Sequence, residues 1–239
     1  MGRDVLIMLK EEGDLCRSFE ILDLVLQFTL IFRMVHYKLI FFNGRGAAEI
    51  PRQLFILAGQ GFEDVRLSQE EWLKRKPEMP FGQLPVLEID GKQLAQSIAI
   101  SRFLARKFGF AGSNPFEEAV VDSVVDQFRD FMVEVRQVIA VATGLQKGDM
   151  KKLVKEVFFP ARDKFFGFME KFLRKSQSGY LVGDSLTFAD LYLAECSSEF
   201  AKKIPETYDG FSKVKAHADL VRSIPALQKW LEIRPQTSF

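Results

Sequence analysis

Pro80-Phe81-Gly82-Gln83-Leu84-Pro85-Val86-Leu87, continued by Glu88-Ile89-Asp90-Gly91-Lys92 and then Gln96-Ser97, is the stretch on which the fold turns. Pro85 has no N–H, so it suits the entry of a strand, and the X-Pro bond before it can be cis. A cis Leu84-Pro85 bond would leave the N–H and C=O of Leu84 free, and an extended peptide could pair with them as an added strand. Asp90-Gly91 suits a type I′ turn, so Pro85 to Ile89 and Lys92 to Leu94 read as a hairpin. Gln96-Ser97 falls at a strand-to-helix junction. Ser97 is expected to cap the helix, whose free N–H groups favour a carboxylate. An extended-peptide slot leading to an anion cradle suits a small acidic peptide.

Outward from this stretch the pattern stays regular. His36 to Phe42 is β-rich and is followed by the turn Asn43-Gly44-Arg45-Gly46. Ala47 to Ala58 has helical spacing, with Leu54, Leu57 and Ala58 able to share a face and Gly59 as a stop. Phe62 to Leu67 reads as a second strand, and Glu70 to Lys76, around Trp72, as a short helix or loop. Gln96 to Phe108 is a helix with Ile100, Phe103 and Leu104 inward. The order β-α-β-α-β-β-α makes 35–112 a small α/β domain. Gly112-Ser113-Asn114-Pro115 breaks the chain. Beyond it Phe116 to Val141, Met150 to Lys175, Thr187 to Lys202 and Ala226 to Arg234 carry helical periods, so 115–239 is expected to be all-α. Thr187 and Asp190 have the spacing of a reciprocal helix cap, with Leu186 and Leu191 as its staple. That motif is assigned to folding.

Composition removes several classes of function. Thirty-three basic residues face 32 acidic ones, with no Lys/Arg block, so nucleic acid is not an expected partner. Cys16 and Cys196 form no CxxC, and His36 and His217 are isolated, so neither a disulfide framework nor a metal is expected. The apolar run Ile21 to Phe32 is interrupted by Asp23 and Gln27 and is shorter than the roughly 18 residues of a membrane span. Glu11, Glu12, Asp14 and Glu20 precede it, unlike a signal peptide, and no myristoylation Ser/Thr follows the start. Residues 1–33, ahead of Met34, therefore read as an appended or mispredicted segment, with no membrane anchor.

Together with Tyr37-Lys38-Leu39, Phe42 to Gly46, Ala48-Glu49, Glu71-Trp72 and Phe103 to Lys107, these motifs resemble the glutathione S-transferases, the sigma class and its nematode members in particular. The resemblance runs from about Val35 to the C-terminus. It implies a thioredoxin-like first domain, an all-α second domain and a cytoplasmic homodimer with glutathione as co-substrate. It further implies that Trp72 and Lys76 meet the glycyl end of glutathione and that Gln83 and Leu84 hold its cysteinyl backbone, with Pro85 cis. Gln96 and Ser97 would hold the γ-glutamyl carboxylate, and Asp130 would reach that group from the other subunit. Phe42, Gly46 and Met132 would line the second-substrate pocket. The implied activity is conjugation of glutathione to small apolar electrophiles, or reduction of lipid hydroperoxides. A catalytically impaired carrier of apolar ligands and a prostaglandin D synthase-like isomerase are the alternatives.

Two residues depart from the family pattern. Phe41 stands where the thiol-activating tyrosine is expected, still within the glutathione site, and Ala47 replaces the assisting arginine. With 24 Phe against 4 Tyr, a spare hydroxyl is scarce. A free thiol titrates near 8.5 and is only a few per cent ionised at neutral pH. One hydrogen bond to a charged group is worth roughly 1.5–3 kcal/mol, or about 10- to 100-fold in thiolate. Asn43, Arg45 and a bound water are the candidate substitutes, whereas Tyr37 lies about 13 Å up the strand. The same loop lacks the cysteines that dithiol or omega-type chemistry requires.

Overall fold

Tyr37-Lys38-Leu39-Ile40-Phe41-Phe42 is apolar at nearly every position, as a strand covered on both faces must be. The computed structural model describes residues 35–237, and there these residues form the inner strand β1 (Tyr37–Phe42). The expectation for 1–33 lies outside the described residues. The chain divides into two units between His36 and Tyr37, and every described element belongs to the second.

β1 pairs in parallel with β2 (Glu63–Leu67) and antiparallel with β3 (Val86–Ile89), which turns back into β4 (Lys92–Ala95). The sheet order is β2-β1-β3-β4. Asp90 and Gly91 carry φ of 47° and 83°, the two positive values that a type I′ turn demands. The parallel pair needs a crossover, supplied by one 3₁₀ turn (Gly46–Ala48) and helix α1 (Glu49–Leu57). The segment around Trp72 is a helix, α2 (Gln69–Arg75). Ser68 Oγ accepts the Glu71 N–H and Glu71 accepts the Ser68 N–H, which closes its first turn. Helix α3 (Ser97–Phe108) ends at Gly109, whose φ of 82° costs no Cβ clash.

Beyond Ala95 the described residues hold no strand. Helices α4 (Pro115–Glu134), α5 (Arg136–Ala142), α6 (Met150–Leu153), α7 (Phe159–Lys175), α8 (Phe188–Ala201), α9 (Ser212–Arg222) and α10 (Pro225–Ile233) follow. Three differences from the sequence reading have physical causes. The period from Phe116 to Val141 is cut at Val135, whose φ of −90° and ψ of 6° leave the helical range. The run from Met150 to Lys175 passes through a π turn at Val154–Phe158. Pro160 has no N–H for the carbonyl four residues back, and the Phe159 N–H bonds Val154 instead. Helix α9 was not expected; it buries Val214, His217, Ala218 and Val221 beneath a surface rich in lysine.

One apolar core runs without a break from Tyr37 and Leu39 in the sheet to Phe131, Phe165 and Leu227 in the helices. A smaller core of Ile40, Leu67, Trp72, Met79 and Val86 covers the opposite face of the sheet. Among the described residues no helix is long and apolar enough to cross a membrane.

Candidate functional site

The Leu84-Pro85 bond is cis, with Pro85 buried and Leu84 half-buried at the mouth of β3. Gly82 precedes them at a φ of 56°, and a Cβ there would come within 3.5 Å of Lys76 Cε, so the lysine stem lies over this loop. Gln96 Nε2 donates to Gln83 Oε1 at 3.4 Å, which brings the two expected amides together. Gln96 itself has φ 74° and ψ 114°, a conformation that costs a non-glycine residue about 1–3 kcal/mol and is concentrated at functional sites. Ser97 is not the cap that its sequence position promised. Gln96 occupies the cap position, its backbone turned too far for a side-chain cap bond, and Ser97 is the first helical residue. The N–H groups of α3's first turn therefore have no side-chain cap, as an anion site requires.

Trp72 is 8% exposed, packed in the smaller core with its ring edge-on to Phe42 at 5.7 Å. Lys76 is exposed just past the end of α2. Asp130 is exposed on α4, where its Oδ2 accepts from Gln127 Nε2 at 3.4 Å.

Beside this slot lies a cavity of about 410 Å³ walled by Ile98, Phe128, Met132, Val138, Ile139 and Phe200. Gly46 and Ser97 also line it, so slot and cavity meet at Ser97. Met132 and Gly46 are both in the lining. Phe42 is outside the lining, its ring held between Phe41 at 5.6 Å and Trp72.

Phe41 is nearly buried, and the Arg52 guanidinium carbon stands 6.0 Å from its ring centre. Arg52 is itself fully buried. Its Nη1 donates to the Gly44 and Arg45 carbonyls at 2.7 and 3.3 Å, and its Nε to Asp64 at 2.9 Å, so it pins the loop after β1. Arg66 braces the same loop from β2, donating to Asp64 and to Asn43 Oδ1. Against α1 a cluster of charges closes. Arg234 donates to Glu49 at 2.6 Å, to Glu195 at 2.8 Å and to Glu199 at 3.1 Å, while Arg45 meets Glu199 at 2.8 Å. Burial, reinforced by the Glu49 carboxylate, pushes Glu195 above the usual carboxylate range. Burial likewise raises the Cys196 thiol on the cavity wall. The sequence reading missed this cluster; its one local trace is Glu49, Arg52 and Gln53 on the face of α1 that turns inward.

Three of the four tyrosines are engaged elsewhere. Tyr37 is buried against Phe55, Tyr208 bonds Ser197, and Tyr192 bonds Ser101 Oγ at 3.0 Å. Burial pushes Tyr192 up to about 12.

A mixed four-stranded sheet whose cis-proline loop opens onto a helical layer makes this a thioredoxin-like protein with a helical second domain. The family described as "Glutathione S-transferase, N-terminal domain" matches residues 37–106, and the one described as "Glutathione S-transferase, C-terminal domain" matches residues 133–234. The chain belongs to the glutathione S-transferase family. "Probable glutathione S-transferase 8" of Caenorhabditis elegans is 51% identical over 206 residues, covering 86% of this chain and 100% of the relative. Among solved structures, the monomeric glutathione S-transferase Na-GST-3 from the hookworm Necator americanus is 68% identical with a TM-score of 0.84, covering 85% of this chain and 100% of its own. A Nu-class enzyme from Haemonchus contortus is 63% identical with a TM-score of 0.81, covering 86% of this chain and 100% of its own.

Proposed function

We propose that this protein joins the glutathione thiolate to small apolar electrophiles, with reduction of lipid hydroperoxides as a second use of the same thiolate. The observation that carries this reading is that Ser97 belongs both to the open start of α3 and to the wall of the apolar cavity. A peptide held by its carboxylate at α3 would turn its cysteine toward the cavity. Lys76 and Trp72 are assigned to its glycyl end, Gln83, Leu84 and cis Pro85 to its backbone, and Gln96 and Ser97 to its γ-glutamyl group. Holding both reactants in one geometry is itself a catalytic contribution. The role is detoxification in the cytoplasm. The working form is a homodimer in which Asp130 reaches the neighbouring site, a role its exposure on α4 supports. The sigma-like resemblance gives way to a Nu-class placement, supported by the 63% identity to the Haemonchus enzyme.

Phe41 and Ala47 favour one other reading, a carrier that binds glutathione and apolar ligands without turnover. Assay with chlorodinitrobenzene and with a lipid hydroperoxide separates the two. Turnover above a buffer blank is expected, and none, with glutathione demonstrably bound, leaves only the carrier. Restoring the hydroxyl with Phe41→Tyr is expected to raise kcat/KM about tenfold at neutral pH, the worth of one hydrogen bond to a thiolate. An unchanged rate would show that the hydroxyl is not what limits this protein.

A further inference from the structure

We propose that Arg45 supplies the positive charge that holds the glutathione sulfur as a thiolate, in place of the hydroxyl absent at Phe41 and the guanidinium absent at Ala47. This rests on the transferase reading above and adds to it the group that acts on the sulfur.

The structure separates the two protein candidates that the loop offers. Asn43 is exposed, and its Oδ1 accepts from Arg66 Nη1 at 3.2 Å, on the β2 side of the loop. Arg45 instead lines the cavity with Gly46, Ala47 and Ser97, the residues between which a cysteine held at α3 would emerge. Its position is fixed from both ends. Arg52 Nη1 takes its carbonyl, and Glu199 meets its Nη1 at 2.8 Å. Among the described residues no partner takes its Nε or Nη2, so part of the fork is available to a ligand. Tyr192, the tyrosine on the cavity wall, has its hydroxyl engaged with Ser101.

Glu49, Glu195 and Glu199 are met by four guanidiniums, those of Arg45, Arg52, Arg222 and Arg234. The remaining titratable or charged groups lining the cavity are Arg129 from α4, Tyr192 and Cys196 from α8, and Lys203 just past the end of that helix. Along the cavity wall itself Glu49, Glu195 and Glu199 stand against Arg45, Arg129 and Lys203, and Arg45 is the cation next to Gly46 and Ala47 in the chain; an opposite charge within about 4–6 Å lowers a thiol's pKa by roughly 1–3. In the reaction the S–H bond of glutathione breaks, its proton leaves to solvent water and both electrons stay on sulfur. Arg45 remains protonated throughout. With chlorodinitrobenzene the sulfur pair forms the new C–S bond, and chloride departs with the electrons of the C–Cl bond.

The test is the ultraviolet thiolate absorbance of bound glutathione against pH, read beside kcat/KM for chlorodinitrobenzene, in the unaltered protein and in Arg45→Gln. The expected result is a titration midpoint about one pH unit higher in Arg45→Gln, hence about tenfold less thiolate at pH 7. The rate is expected to recover at high pH, with the KM for glutathione little changed. Glu199→Gln, which frees the guanidinium from its counter-charge, is expected to lower the midpoint, and it reads the same interaction if Arg45→Gln does not fold. An active parent with the same midpoint in these variants overturns the role of Arg45 alone. A parent that binds glutathione but shows neither thiolate nor turnover overturns the transferase reading, and this proposal with it.

Discussion

Helices α3 and α8 begin with similar polar chemistry and end up opposite. At α8 the Thr187 N–H and Oγ1 both donate to Asp190 Oδ2 at 2.8 Å. Asp190 Oδ1 accepts the Leu181 N–H at 2.7 Å and meets His217 Nε2 at 2.9 Å. Thr187, Asp190 and His217 are all buried, and the helix start is closed. At α3 the first turn has no side-chain cap, Gln96 is exposed, and its backbone sits in an unfavourable region. The unbonded N–H groups that every helix start presents serve folding at α8 and recognition at α3. Burial, more than residue type, separates the two.

Mutations can break or sharpen this contrast. The largest effect is expected from Asp190→Ala, which strands two backbone N–H groups, a hydroxyl and a histidine in the core. A loss of about 3–5 kcal/mol in urea unfolding is expected, and a loss under 1 kcal/mol would remove the structural reading of the closed start. Ser97→Ala comes next and tests the open start. With no cap bond to lose, its stability should stay within about 0.5 kcal/mol of the parent. Glutathione affinity by titration calorimetry should fall about tenfold, the worth of one hydrogen bond to a carboxylate. A variant that loses stability and keeps affinity would make the two helix starts alike.

The smallest effect belongs to α2, whose start is closed like that of α8 but exposed. The Ser68 N–H and hydroxyl hold the Glu71 carboxyl below its ordinary value of 4.5. A carboxyl lowered in the folded state contributes stability above its unfolded value and loses it as pH falls through the folded one. Glu71→Gln is therefore expected to remove a small part of the stability lost between pH 5 and pH 3, and an unchanged acid limb in urea unfolding would show the contact idle.

The contrast also marks what could be read from residues alone. Pro85, Asp90-Gly91 and the spacing of Thr187 and Asp190 each impose a backbone geometry through their own covalent chemistry, so the hairpin, the cis bond and the closed cap were legible. The φ of Gln96 was not, because glutamine has no preference for that region and only the surrounding packing holds it there. The break at Val135 is equally silent, since valine continues the apolar period on both sides. Helix α9 went unread because Lys213, Lys215 and His217 interrupt its short apolar stripe. The charge cluster is the extreme case, with contacts spanning most of the chain and no local pattern to announce them.

That cluster bears on the order in which the chain can assemble. Glu49 is buried, and the guanidinium that bonds it at 2.6 Å lies 185 positions later, at Arg234. Arg52, at 3.6 Å, meets only its other oxygen. Ribosomes deliver chains N-terminus first, so α1 emerges while its principal counter-charge does not yet exist. Burying a carboxylate short of its best counter-charge is costly, so α1 and α8 are expected to reach their final packing only once the chain has been made to residue 234. The sheet comes first in synthesis, yet the charge that meets Glu49 most closely arrives just past the last helical turn, like a clasp that closes only when the whole strap has passed through.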